Sequence, residues 1–253
     1  MKRENYINHI VLVLDASGSM DRFVREVIKV ADNQITYLAK RSKELDQETR
    51  ITVYTFEDRN NFKCLIYDKD VLRMPSISGL YETGGSTALI DATLLAIDDL
   101  ALTSEKYGEH AFLIYVLTDG EENDSVHHPH SLSSKIAKLP DNWTLAAFVP
   151  DQSGVFEAKK FGFPKENIAV WDTSSSKGLS EAGEKIRATT DQFMQNRQLG
   201  IRGSKSLFTL SVPSIRTVAS TLDSLHRGQY RLLDVDVTGR IDQFVEMKLG
   251  RAY

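Results

Sequence analysis

Six short stretches of this chain are apolar or β-branched at nearly every position: residues 9–14, 51–56, 63–67, 111–117, 144–149 and 168–171. A strand with one face in water alternates apolar and polar side chains, so runs without alternation need cover on both faces. That need constrains the fold more than any other feature, because helices must then flank a mostly parallel sheet. The helices are legible between the runs. Phe23, Val27, Val30, Ala31, Gln34, Ile35 and Leu38 form one stripe at spacings of three and four. Leu89, Ala92, Thr93, Ala96 and Ile97 form a second, and residues 182–194 a third. Run 63–67 follows run 51–56 across Asp58-Arg59-Asn60-Asn61, a turn that would make it an antiparallel edge strand. The pattern predicts an α/β fold over about residues 6–198: a doubly wound, mostly parallel, Rossmann-like sheet with helices on both faces.

The alternation stops at Leu199-Gly200-Ile201-Arg202-Gly203-Ser204, which reads as a hinge. It divides the chain into a first domain, residues 1–199, and a small α+β C-terminal segment, residues 200–253. In that segment residues 206–212 alternate like a strand. Pro213-Ser214 open a helix carrying Ile215, Val218, Leu222 and Leu225, Gly228 stops it, and residues 230–237 form another strand. So short a segment makes a thin core, and its ending carries no stop signal, so an incomplete second domain is expected.

Charge and cysteine usage narrow the setting. Lys and Arg number 31 against 35 Asp and Glu, a net charge of −4, so no global basic field favours nucleic acid. The basic residues beyond residue 200 are scattered among Asp223, Asp234, Asp236 and Asp242 with no aromatic platform, the pattern of a solvated face. Cys64 is the single cysteine, which excludes an internal disulfide and a thiolate zinc site and suits a reducing compartment. The apolar residues Ile10–Leu14 behind Met1-Lys2-Arg3 are fewer than the ~7–15 of a secretory signal and end at Asp15. Residues 111–117 fall far short of the ~18 apolar residues that span a bilayer. A cytoplasmic protein without a membrane partner is expected.

Ligands of open α/β sheets bind beyond the carboxyl ends of the strands. Three loops predicted there share one chemistry: Asp15-Ala16-Ser17-Gly18-Ser19-Met20, Gly84-Gly85-Ser86-Thr87-Ala88-Leu89 and Thr118-Asp119-Gly120. They offer carboxylates and hydroxyls, hard oxygen donors with no nitrogen or sulfur among them. Such a set suits Mg²⁺ first, then Mn²⁺ or Ca²⁺. No Walker loop, Gly-x-Gly-x-x-Gly loop or Gly-x-Ser-x-Gly elbow accompanies the first run, and Asp15-x-Ser17 lacks the second aspartate of phosphoryl-transferring Asp-x-Asp loops.

Residues 6–198 resemble a von Willebrand factor A (VWA) domain. Asp15-Ala16-Ser17-Gly18-Ser19 is similar to its Asp-x-Ser-x-Ser metal-ion-dependent adhesion site, or MIDAS. Thr87 matches the threonine of the second loop and Asp119 the aspartate of the third. The resemblance implies that Ser17, Ser19 and Thr87 place hydroxyl oxygens on the metal, with Asp15 and Asp119 acting mostly through bound water. It also implies an intracellular bacterial or bacteriophage setting within larger assemblies. Neutral hydroxyls quench little of a +2 charge, so the bound ion would attract an anionic oxygen, and a Glu or Asp carboxylate of a partner protein fits that demand. A metal-dependent protein-interaction module without enzymatic activity is the leading expectation. The alternatives are a recruiting domain for an activity in the C-terminal segment, and a metal-dependent hydrolase using Glu121, Glu122 or residues 127–130 as base.

Other polar clusters read more plainly. Residues 119–124 superficially resemble a calcium loop, but Asp124 stands where a glycine is required and His130 where a bidentate Glu is required. They read as a solvated acidic loop. Asp21 reads as a complement to a helix dipole. His127-His128-Pro129-His130 reads as a surface loop rather than a second metal site, and His9 as a packed residue at the core edge.

Overall fold

The computed structural model describes residues 5–209. The apolar runs become six strands: β1 (Tyr6–Asp15), β2 (Glu48–Phe56), β3 (Phe62–Asp70), β4 (Glu109–Leu117), β5 (Trp143–Val149) and β6 (Ile168–Val170). They form one sheet in the order β3-β2-β1-β4-β5-β6, parallel except for the antiparallel edge strand β3. The helices are α1 (Val24–Leu45), α2 (Leu89–Leu100), α3 (Pro129–Ala137), α4 (Gln152–Lys160) and α5 (Ser176–Gln198). This is the doubly wound α/β fold that the uninterrupted apolar runs demand.

Successive side chains of a strand point to opposite faces, and both faces here are dry. Ile10, Leu12 and Leu14 of β1 pack with Leu113, Tyr115 and Leu117 of β4 beneath α1 and α5. Val11 and Val13 join Phe112, Ile114 and Val116 beneath α2, α3 and α4. The stripes read from sequence are the buried faces of α1, α2 and α5. Helices α3 and α4 were not legible as stripes, because each buries a single apolar residue, Leu132 and Ala158.

A polar chain crosses the sheet near the end opposite the strands' carboxyl termini. His9 Nδ1 lies 3.0 Å from Asp68 Oδ1, and His9 Nε2 lies 3.0 Å from Nδ1 of the buried His110. The His9 ring also stacks on Phe112 at 4.6 Å, as expected for a core-edge residue. Burial pushes the Asp68 carboxyl up, but bonds with His9 and Arg50 outweigh it and hold that carboxyl below its ordinary range.

Two sequence expectations change. Residues 127–130 are exposed, but only the first two precede a helix: His128 caps α3 and Pro129 occupies its first turn, where a missing N–H costs nothing. The strand expected from residue 206 is absent over its described part, and residues 207–209 form a turn instead. Gly203 and Ser204, the end of the expected hinge at residues 199–204, are fastened to the sheet together with the residues that follow. Ser204 N donates to Thr144 Oγ1 at 2.8 Å, Leu207 N to Asn167 Oδ1 at 2.6 Å and Phe208 N to Glu166 O at 3.0 Å. Leu207, 2% exposed, enters the core beneath α1 and α5. Gly203 lies so close to the backbone carbonyls of Asp141 and Trp143 that a Cβ there would collide with Asp141 O. Its lack of a side chain serves close approach, which a sequence cannot distinguish from flexibility. The remaining expected elements, from residue 210 onward, lie outside the described residues.

Candidate metal centre

Chain connections diverge on either side of β1 and β4, since β1 leads through α1 to β2 and β4 leads through α3 to β5. The crevice at their carboxyl ends is the topological switch point of the sheet, where such folds bind ligands. All three sequence-predicted loops reach it.

Asp15 is the last residue of β1 and has no exposed surface. Its Oδ1 accepts from Ser17 N at 2.8 Å, and its Oδ2 accepts from Thr118 Oγ1 at 2.5 Å. Burial pushes its pKa from 3.8 up to about 6, against the pull of these bonds, with a small further rise from Asp119. Ser17 begins a short 3-10 turn, Gly18–Phe23, that carries Ser19 and leads into α1. Ser17 Oγ lies 3.1 Å from Ser19 Oγ, which donates to Asp119 Oδ1 at 2.6 Å. Four of the five predicted residues are thus linked directly: Asp15 to Ser17, Ser17 to Ser19, and Ser19 to Asp119.

The fifth, Thr87, comes in on a separate loop held by backbone bonds. Gly84 N donates to Ala16 O at 2.8 Å and Gly18 N to Gly85 O at 3.3 Å, laying that loop on the first. Asn123 grips Thr87 from the third loop: its Oδ1 accepts from Thr87 N at 3.0 Å and its N–H donates to Thr87 O at 3.0 Å. A Cβ placed on Gly120 would stand 3.7 Å from Thr87 Oγ1 and 4.0 Å from Ser19 Oγ. The bare Gly120 therefore leaves a small space bordered by two hydroxyls.

The fit to a metal rests on that space and on Asp119. Asp119 Oδ2 is buried with no hydrogen-bond partner, and the nearest cation is Arg22 Nη2 at 3.7 Å. A buried, unbonded carboxylate oxygen beside a cradle of hydroxyls is costly alone and suited to a hard cation. The donor set is all oxygen, so the residues fit the group that the sequence resemblance implies.

Supporting residues beyond the five predicted ligands surround the site. Tyr81 donates to Asp15 O at 2.6 Å, and burial, then the nearby Asp15, raises its hydroxyl pKa. Trp171 Nε1 donates to Thr118 O at 2.8 Å. The Glu122 carboxylate accepts from Ile90 N at 2.9 Å and Ser125 N at 2.7 Å, fastening the third loop to the start of α2. Asp124 is paired with Arg59, its Oδ1 2.6 Å from Nη2. Thr118 sits in the quoted Thr-Asp-Gly motif and its role was within reach of sequence. Tyr81 and Trp171 come from distant segments with no local signal. The histidines of residues 127–130 do not converge: His127 pairs with Asp91 at 2.9 Å, while His130 Nε2 lies 3.3 Å from Ser134 Oγ. Asp21 accepts from the Thr83 hydroxyl in addition to its place in the first helical turn.

No protein-family model and no curated protein matches the chain. Solved structures do. Proximal thread matrix protein 1 from the mussel byssus, in a form with a zinc-occupied MIDAS motif, is similar over 74% of this chain and 46% of its own, at 20% identity and a TM-score of 0.52. The pilus adhesin SpaC from Lactobacillus rhamnosus GG, in its open conformation, is similar over 76% of this chain and 30% of its own, at 12% identity and a TM-score of 0.58. The PilB minor pilin from Streptococcus sanguinis is similar over 76% and 63%, at 11% identity and a TM-score of 0.52. The chain spans about half the length of the mussel protein and less than a third of SpaC. The likeness is one of fold, and that fold is VWA-like.

Proposed function

We propose that residues 5–209 form a divalent-metal-dependent protein-interaction module, with Ser17, Ser19 and Thr87 as hydroxyl ligands and Asp15 and Asp119 as the balancing carboxylates. The observation that carries this reading is the buried, unbonded Oδ2 of Asp119 beside the hydroxyls around Gly120. The zinc-occupied MIDAS of the mussel protein, on the same fold, supports a divalent ion at this place. Hard oxygen donors favour Mg²⁺, then Mn²⁺ or Ca²⁺. Bound there, the ion supplies a Lewis-acid position for an anionic oxygen. The chain's own residues prepare that position: Thr118 and Ser17 N hold the Asp15 carboxylate, Asn123 holds the Thr87 backbone, and Ser19 links the first loop to Asp119.

The partner group is an Asp or Glu carboxylate, because three neutral hydroxyls leave most of the ion's charge uncompensated at close range. A non-enzymatic role is favoured over hydrolysis because two of the candidate bases are committed: Glu122 to loop amides and His127 to Asp91. A cytoplasmic or virus-associated intracellular setting agrees with the single cysteine. Among the described residues no helix is long and apolar enough to cross a membrane.

The test is calorimetric titration of Mg²⁺ and Mn²⁺ into chelator-stripped protein, beside Ser17→Ala and Asp119→Ala. The expected result is about one ion per chain, with affinity reduced at least tenfold in each variant. Undiminished affinity in both variants would place any metal elsewhere.

A further inference from the structure

Arg22 occupies the rim of the centre and serves none of the roles described so far. It lies in the Gly18–Phe23 turn, three residues beyond Ser19, with its side chain 59% exposed. Its guanidinium carbon rests 4.6 Å from the centre of the Phe23 ring. Phe23 is itself buried and packed edge-on against Trp171, so the cationic head sits on a fixed platform. Nη2 lies 3.7 Å from the unbonded Asp119 Oδ2, too far for a hydrogen bond. Among the described residues no guanidinium N–H of Arg22 makes a hydrogen bond, so a planar fork of donors is presented to solvent beside the metal position.

We infer that Arg22 is a second anchor for the acidic ligand: one oxygen of the partner's carboxylate goes to the metal, and the other accepts from the Arg22 guanidinium. The inference rests on the metal-dependent reading above and adds the residue that selects the ligand. A metal ion alone accepts many oxygen donors, neutral ones included. With one oxygen on the metal, the ligand must still offer an acceptor to the guanidinium; a carboxylate has that second oxygen, whereas a neutral amide presents an NH2 donor there. A purely structural role, as a partner for Asp119, is a poor account of the residue, since its guanidinium is largely exposed and makes no hydrogen bond to that carboxylate. A fixed positive charge beside a cation site also works against the cation until an anion arrives.

That opposition gives the test two readouts of opposite sign. Mn²⁺ affinity of the full chain is measured by calorimetry without carboxylate. Acetate binding to the Mn²⁺-loaded protein is then followed by the loss of water-proton relaxation enhancement, with acetamide as the neutral control. In the wild type, acetate displaces water saturably and acetamide does not. Arg22→Gln leaves Mn²⁺ affinity equal or raises it severalfold, and weakens acetate about tenfold. Arg22→Lys, which keeps the charge and loses the fork, falls between. Unchanged acetate affinity in Arg22→Gln overturns the inference, as does a parallel fall in Mn²⁺ and acetate affinity, which would make Arg22 a structural support. A wild type that binds Mn²⁺ but not acetate removes the carboxylate ligand and this inference with it. A wild type that binds no Mn²⁺ removes the metal reading itself.

Discussion

Asp15 is a carboxylate the fold keeps away from water without giving it a cation of its own. Its pKa rises from 3.8 to about 6, chiefly through burial. Between those values the folded chain holds a proton that the unfolded chain has released. The contribution of Asp15 to metal-free stability therefore declines as pH rises from about 4 through 6 and is level above, a loss of about 3 kcal/mol for a shift of this size. Asp15→Asn removes the titrating group. In the presence of chelator its urea-unfolding free energy is expected to gain on the wild type progressively between pH 4 and 7. On the proposed metal-binding reading, adding Mg²⁺ at pH 7.5 is expected to stabilise the wild type and not the variant. A constant difference between the two proteins across that range would show that Asp15 ionises in the fold as it does in water.

The elements carry the site through close approaches that leave little room for substitution. Helices α1 and α5 meet on one face of the sheet, and a Cβ on Gly183 would lie 2.9 Å from Val30 Cγ2. Replacing a glycine inside a helix by alanine ordinarily adds about 1 kcal/mol of helix propensity. Here the β-branched Val30 cannot easily yield, and overpacking of this kind costs about 1–3 kcal/mol. Gly183→Ala is accordingly expected to lower the urea midpoint, by a net of about 1 kcal/mol. A raised midpoint would mean the two helices can separate enough to accept a methyl group. The same sequence period that exposes α1, α2 and α5 to inspection fails for α3 and α4, since one buried residue per helix makes no stripe.

For the whole molecule, the decisive feature is that the first domain does not finish at the end of α5. Residues 203–209 run along the β5–β6 side of the sheet and insert Leu207 into the core. Leu207→Ala in the full chain should cost about 2–5 kcal/mol, the range for emptying a buried leucine site. A chain ending at Gly200 should lose at least as much, whereas one ending at Thr209 should retain the wild-type urea midpoint if the described residues form a complete core. Equal midpoints for the two truncations would show that the segment adds nothing to stability.

Sequence alone determined the sheet and its two helical layers, because a strand buried on both faces must be apolar throughout and a covering helix must be apolar every three or four residues. The antiparallel edge strand was legible for the same reason, with a short polar turn between two β-rich runs. Local motifs named Asp15, Ser17, Ser19, Thr87 and Asp119, since strand-end loops keep their chemistry in consecutive residues. Tertiary structure alone decided the rest. The unbonded oxygen of Asp119, the support from Tyr81 and Trp171, the hold of Asn123 on Thr87 and the place of Leu207 depend on segments far apart along the chain. Gly203 makes the point at a single position: its lack of a side chain reads as freedom in the sequence, and the neighbouring carbonyls show it to be a requirement of packing.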